Sequence, residues 1–169
     1  MKVILGIDPG LAAIGYGLIG FGNNRYQYLD HGVIHTAAHT PMGDRLVLIY
    51  QGISGLIKKY QPHEAAIETL YFARNRKSTI SVAQARGVIL FALTQAGVPF
   101  GEYTPLQLKQ AVVGRGRGRP DKAQVQEMIR VILGLSTIPT PDHGADALAA
   151  AICHAGRSEL AQIVSLAER

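Results

Sequence analysis

Two short apolar runs, KVILGID at 2–8 and EAAIE at 64–68, each end in a carboxylate. Nothing else in the chain restricts the fold as much. A compact apolar run bounded by turn residues reads as a buried strand, and Pro9-Gly10 closes the first run with a turn. Residues 12–21 and 25–36, parted by Gly22-Asn23-Asn24, read as a hairpin that follows it. Residues 42–60 place Leu46, Ile49, Ile53, Leu56 and Ile57 at helical spacing. A helix over 78–96, a strand over 98–103 and a short helix over 105–112 come after the second carboxylate-ended run. Residues 121–134 form another helix, with Asp121 as its N-cap and Gly134 as its stop, and 142–155 form the last long one. The order is three strands, helix, strand, helix, strand, helices. It predicts an α/β fold, a mixed five-stranded sheet flanked by helices.

Asp8 and Glu68 thus fall at the C-terminal ends of buried strands, the edge where open α/β sheets hold their ligands. Two buried carboxylates side by side repel, so they need a cation or a shared proton. Each alone also has a plain reading: Asp8 as a turn residue accepting backbone bonds, Glu68 as a strand end turned to solvent. A third acid shifts the balance. In PDHGADALAAA at 141–151, Asp142 and Asp146 are four apart and His143 and Asp146 three apart, so either pair shares a helix face. Spacing leaves open which pair faces the strand ends. Carboxylate oxygens of this kind suit Mg²⁺ or Mn²⁺.

Charge is placed unevenly. Of the 169 residues, 71–130 hold ten Lys/Arg against three Asp/Glu, a balance of +7, inside a chain of net +5. A block like that suits a polyanion, and by charge alone it serves equally as a solvated basic face. The lone Cys153 rules out an internal disulfide and fits a reducing compartment. The six histidines have no Cys-x-x-Cys beside them for a structural zinc. No run approaches the ~20 apolar residues of a membrane span. A cytoplasmic protein, not exported, is the expectation.

GIDPGLAAIGYG at 6–17, AAIETLYFARN at 65–75, QARG at 84–87, LKQAVVGRGRGRPDKAQVQ at 108–126 and HGADALAAAICH at 143–154 resemble the RuvC-type crossover junction endonucleases. The likeness covers nearly the whole chain, in order. It implies a single ribonuclease H-like nuclease domain over 1–157 with a C-terminal tail over 158–169. It implies a homodimer that cuts four-way (Holliday) DNA junctions by paired symmetric nicks in recombination and repair. By the same resemblance Asp8, Glu68, His143 and Asp146 are the catalytic metal ligands; family members show Asp or His three residues before the last acid. Asp142 is then left as the N-cap of its helix. The expected cofactor is Mg²⁺, two ions per subunit. The imidazole at His143 tilts the preference towards Mn²⁺ compared with an all-carboxylate relative. Two such cations can activate water on one side of a phosphodiester and hold the leaving 3′ oxygen on the other, giving 5′-phosphate and 3′-hydroxyl ends.

For DNA contact the resemblance points to Tyr71, with Phe72 beside it, as an aromatic able to stack on an unpaired base. Arg74, Arg76 and Lys77 continue that segment with positive charge. Lys109 and Lys122 match basic positions near the scissile phosphate. Arg115, Arg117 and Arg119 alternate with glycine in a loop suited to phosphate contacts. Helix 78–96 matches the family's dimer interface, and the RuvA and RuvB branch-migration proteins are partners by the same implication. Cys153 and His154 are assigned packing and helix-end roles without chemistry. Three other readings remain: a phosphate-binding ATPase of the actin and sugar-kinase type, suggested by IDPG with Gly15 and Gly17; a non-catalytic junction-binding protein; and a nuclease of the same fold acting on other branched nucleic acids.

Overall fold

The computed structural model describes residues 1–69, 76–114 and 121–167, with the main chain alone for 76–78 and 158–167. Five strands form one sheet in the order β3-β2-β1-β4-β5. The strands are β1 (Lys2–Asp8), β2 (Ala13–Gly22), β3 (Arg25–His35), β4 (Glu64–Glu68) and β5 (Phe100–Tyr103). β1–β2 and β2–β3 are antiparallel, whereas β1–β4 and β4–β5 are parallel. The helices are α1 (Met42–Tyr60), α2 (Arg76–Gln95), α3 (Pro105–Val113), α4 (Lys122–Leu133) and α5 (Asp142–Ala167). The mixed sheet and the element order agree with the sequence expectation.

Local chemistry explains the joints. Asn23 and Asn24 both take positive φ (53° and 56°), the conformation a tight two-residue hairpin needs and asparagine tolerates. Thr104 and Asp121 open α3 and α4 with reciprocal capping boxes, to Gln107 and Gln124. Gly134 closes α4 in the left-handed region at φ 63°.

Strand alternation divides the core. Leu5, Ile7, Leu18, Ala65 and Ile67 point to α1 and α2, where Ile49, Ile53, Ile89 and Leu93 meet them. Ile4, Ile19 and Ala66 point to the other face, covered by α3, α4 and α5. Period two therefore sends Asp8 and Glu68, at the even positions, to the α5 face together.

α5 lies unusually close to the sheet. A Cβ on Gly6 would stand 1.9 Å from the Ala147 carbonyl oxygen, one on Gly15 1.9 Å from that of His143, and one on Gly17 2.5 Å from the Leu148 nitrogen. The helix matches these gaps with Ala145, Ala147, Ala149, Ala150 and Ala151, all buried. Backbone rests almost on backbone.

The helix runs past residue 155 into the tail that the sequence leaves free to continue it or fray, so His154 is no helix terminus. From Asp146 to His154 the helix rises about 12 Å. From Glu68 back to Glu64, β4 covers about 13 Å. His154 accordingly meets Glu64: its Nε2–H donates to Oε2 (3.0 Å), and the Tyr103 hydroxyl donates to its Nδ1 (2.8 Å). Lys2 closes the cluster on Glu64 at 2.5 Å. Burial holds the imidazole below its ordinary value, against the pull of Glu64. His154 thus serves Glu64 as an N–H donor, and Lys2 is the ionic partner. Among the described residues, no helix is long and apolar enough to cross a membrane.

Candidate active site

Asp8 and Glu68 end neighbouring parallel strands, one step beyond the paired Ile7 and Ile67. Their carboxyl groups lie close enough for each to perturb the other. Burial pushes Glu68 up to about 7, and the charges of Asp8 and Asp146 push the same way against Lys109. Of the two, Glu68 is the one pushed furthest towards holding a proton. Burial also raises Asp8, although a hydrogen bond and charge from His143 oppose it. Burial and then Asp8 raise Asp146, with Lys122 and His143 opposing. Three carboxylates at one sheet edge hold more proton than they would in water.

His143 stands over this edge from the first turn of α5, and its Nδ1–H donates to Asp8 Oδ2 at 2.7 Å. The side chain is half exposed while that of Asp8 is largely buried. Gly15 makes the contact possible, because any side chain there would meet the His143 main chain. As these side chains stand, no three His, Cys, Asp or Glu groups among the described residues converge as ligands of one ion. Asp8 is turned to His143 instead. The donor set still fits a divalent cation. Three carboxylates and an imidazole gather negative charge that burial penalises and that, among the described residues, only the His143 N–H meets directly, so a divalent cation suits the set.

An open cleft runs from Glu68 and Asp146 past Lys109 and Lys122, floored by Leu108 and Val125. Both lysines expected from the sequence line it. A larger cavity, lined by Tyr26, Gln107, Cys153 and Arg157, lies elsewhere and holds no carboxylate, so the chemistry belongs to the smaller cleft.

Asp142 departs from the sequence expectation. It does not cap α5: the Pro141 carbonyl receives the Gly144 and Ala145 N–H groups. Its carboxylate instead reaches α4, accepting from Lys122 Nζ at 2.5 Å and Gln126 Nε2 at 2.9 Å. Those hydrogen bonds, with the charge of Lys122, hold it below the usual carboxylate range. Gln126 had no sequence signal beyond its place one helical turn after Lys122. Arg76 and Lys77 fall in the first turn of α2, where only the main chain is described. Tyr71, Phe72, Arg74, Arg115, Arg117 and Arg119 lie outside the described residues.

The sheet order, with acidic side chains gathered at one edge, is that of the ribonuclease H-like class. Solved structures place it more closely. Thermus thermophilus RuvC in complex with a Holliday junction substrate superposes with a TM-score of 0.89 at 34% identity, covering 95% of this chain and 97% of that one. The yeast mitochondrial Holliday junction resolvase Ydc2, at 15% identity, shares the fold with a TM-score of 0.62. The family model for crossover junction endodeoxyribonuclease RuvC matches residues 4–154. The Desulfitobacterium hafniense crossover junction endodeoxyribonuclease RuvC is 56% identical over 153 residues, 90% of this chain and 92% of the relative. Its Treponema denticola counterpart is 51% identical over 95% of this chain and 89% of its own length. The chain belongs to the RuvC family of crossover junction endodeoxyribonucleases, whose catalysis depends on metal.

Proposed function

We propose that this enzyme resolves four-way DNA junctions by paired, symmetric nicks, and that Asp8, Glu68, His143 and Asp146 hold its metal ions. The observation that carries the reading is the meeting of Asp8, Glu68 and the α5 turn bearing His143 and Asp146 at one sheet edge, within a RuvC chain. Two Mg²⁺ per subunit is the expected loading, with Mn²⁺ the better match to the His143 imidazole. Held by Asp8, Glu68, His143 and Asp146, divalent cations would supply activation of the attacking water and charge stabilisation at the departing 3′ oxygen.

The chain's own groups do the rest. Asp8 and Glu68 would hold a cation as carboxylates, which its charge would favour over the raised proton affinity they show without it. Asp146 and His143, on successive turns of a helix seated hard on the sheet, fix the opposite wall of the site. Lys109 and Lys122 offer the cleft's cationic contacts to the scissile phosphate. The Lys122–Asp142 pair is more than half exposed, so it contributes little and yields readily to a phosphate. Tyr71 with Phe72 serves as the base-stacking element, and Arg74, Arg76, Lys77, Arg115, Arg117 and Arg119 carry the DNA arms. A homodimer, two sites related by a two-fold axis, suits the near two-fold symmetry of a junction. RuvA and RuvB are the branch-migration partners, and the cytoplasm is the compartment.

A panel of end-labelled substrates tests this. A mobile four-way junction should be nicked in two opposing strands, leaving nicks that ligase seals without end repair. Linear duplex, a three-way fork and an RNA–DNA hybrid should be cut far more slowly. Equal cutting of the fork or hybrid would replace the junction assignment with a broader branched-substrate nuclease.

A further inference from the structure

β3 carries an irregularity that period-two reasoning does not anticipate. Its pairing with β2 shifts between Leu18 and Ile19: Asp30 lies opposite Leu18, and Tyr28, not Leu29, opposite Ile19. The extra residue is a bulge. In a regular strand, residues three apart point to opposite faces. The bulge puts Tyr28 and His31 on the same side, and their rings meet edge to face with centroids 5.6 Å apart.

His31 then bridges to the helix that completes the metal site. Its Nε2 lies 3.0 Å from the Thr140 carbonyl oxygen, two residues before α5 begins. A carbonyl only accepts, so Nε2 carries the hydrogen, and Nδ1 accepts from the Tyr28 hydroxyl at 2.8 Å. Both ring nitrogens are thereby committed, and the imidazole cannot rotate freely. Its edge also bears on the helix: a Cβ on Gly144 would stand 2.9 Å from His31 Cδ2 and 3.3 Å from the Gly32 nitrogen. Asp30 anchors the same point of β3, accepting the His31 N–H at 2.9 Å and the Tyr60 hydroxyl.

The geometry points to His31, aimed by the β3 bulge and braced by Tyr28, as a positioning residue that sets the height and rotation of the first turn of α5, and so the fit of His143 and Asp146 to metal. This rests on the metal-site reading above. The strut joins the segment entering α5 to the sheet on one side, while Gly15 and Gly17 seat its first turns on the other. His143 and Asp146 lie three and six residues beyond the anchored carbonyl, in the first two turns of the helix it leads into. A ligand displaced by a fraction of an ångström binds a cation more weakly even when the fold is intact.

The test is Mn²⁺ titration by calorimetry on the full chain, without DNA, for wild type, His31→Ala, His31→Gln and Tyr28→Phe, with thermal melting of the metal-free proteins alongside. The expected result is Mn²⁺ binding weakened about tenfold in His31→Ala, the scale seen when an outer partner of a metal site is lost. Tyr28→Phe should fall between, and His31→Gln should recover most of the affinity, because its amide N–H can still reach Thr140. A lowered melting temperature with unchanged Mn²⁺ affinity would overturn the inference and leave His31 a stability residue. Should His31→Ala fail to fold, equal affinity in Tyr28→Phe and wild type would overturn it as well. Wild type that binds no Mn²⁺ would overturn the metal-site reading itself.

Discussion

Asp142 and His143 are chain neighbours with opposite partners. His143 turns inward to Asp8, whereas Asp142 turns to Lys122 and Gln126 on α4. Sequence spacing allows either to face the acidic edge, and a capping role for Asp142 is the natural reading of a helix start. The actual partner is illegible because it depends on where α4 lies. Asp8 and Glu68 are legible, since an apolar run ending in an acid states both burial and position. His154 is the converse: its place depends on the length of α5 and on Glu64, 90 residues away. That cluster has a pH consequence. Burial opposes ionisation of Glu64, but Lys2 and His154 outweigh it and lower its pKa below 4.5. A lowered carboxylate stabilises the fold above its unfolded value and loses that contribution as pH falls through the folded value. His154, held below 6.5, adds stability above 6.5 that fades as pH falls. Both act in the same sense, but the raised carboxyls Glu68, Asp8 and Asp146 favour the fold as pH falls, so the pair's share is read as a difference: the melting-temperature advantage of wild type over Glu64→Gln should shrink as pH drops below about 4.5. Thermal melts of the two proteins across pH 3–7 check this; a gap between them that does not change with pH would deny the pair its role.

Among the secondary-structure elements, the seat of α5 on β1 and β2 decides the geometry of the site. Gly6, Gly15 and Gly17 have no side chains to hold the helix off. Gly15→Ala should be the most damaging to chemistry, because its methyl would press on the His143 carbonyl. The expected cost is about 1–3 kcal/mol of stability, the range for overpacking a tight contact. Cleavage should fall further than stability explains, measured as single-turnover rate on folded protein. Gly43→Ala, in the open first turn of α1, is the control and should change neither. The hairpin at Asn23-Asn24 and the ends of α4 are legible because a few local residues decide them. The β3 bulge is not, since it exists only in the pairing with β2. The sequence leaves open whether α5 continues past 155, because the alanine-rich run buried to Ala155 marks only where the helix leaves the core; the helix itself continues.

Across the molecule, the strand order converts distant sequence positions into one site. β1 and β4 are separated by a hairpin and a helix, yet lie parallel and adjacent, which brings Asp8 and Glu68 together. α5 then spans the sheet from that acidic edge to the Lys2–Glu64–His154 cluster at the other. Mixed-sheet architecture follows from the element order; the adjacency of β1 and β4 is a choice among several that chain order alone permits. The RuvC assignment, carried by motifs spread over residues 6–154, selects it. The measurement that bears most directly on the account is cleavage of a mobile four-way junction in Mg²⁺ and in Mn²⁺ by wild type, Asp8→Asn, Asp142→Asn and His143→Ala. Wild type should nick in pairs. Asp8→Asn should be inactive, His143→Ala should lose at least about 100-fold, the scale of a displaced catalytic group, and Asp142→Asn should stay within a few-fold of wild type. An inactive Asp142→Asn beside an active His143→Ala would place the metal face of α5 on the wrong side, and a wild type that binds the junction without cutting it in either metal would contradict the account as a whole.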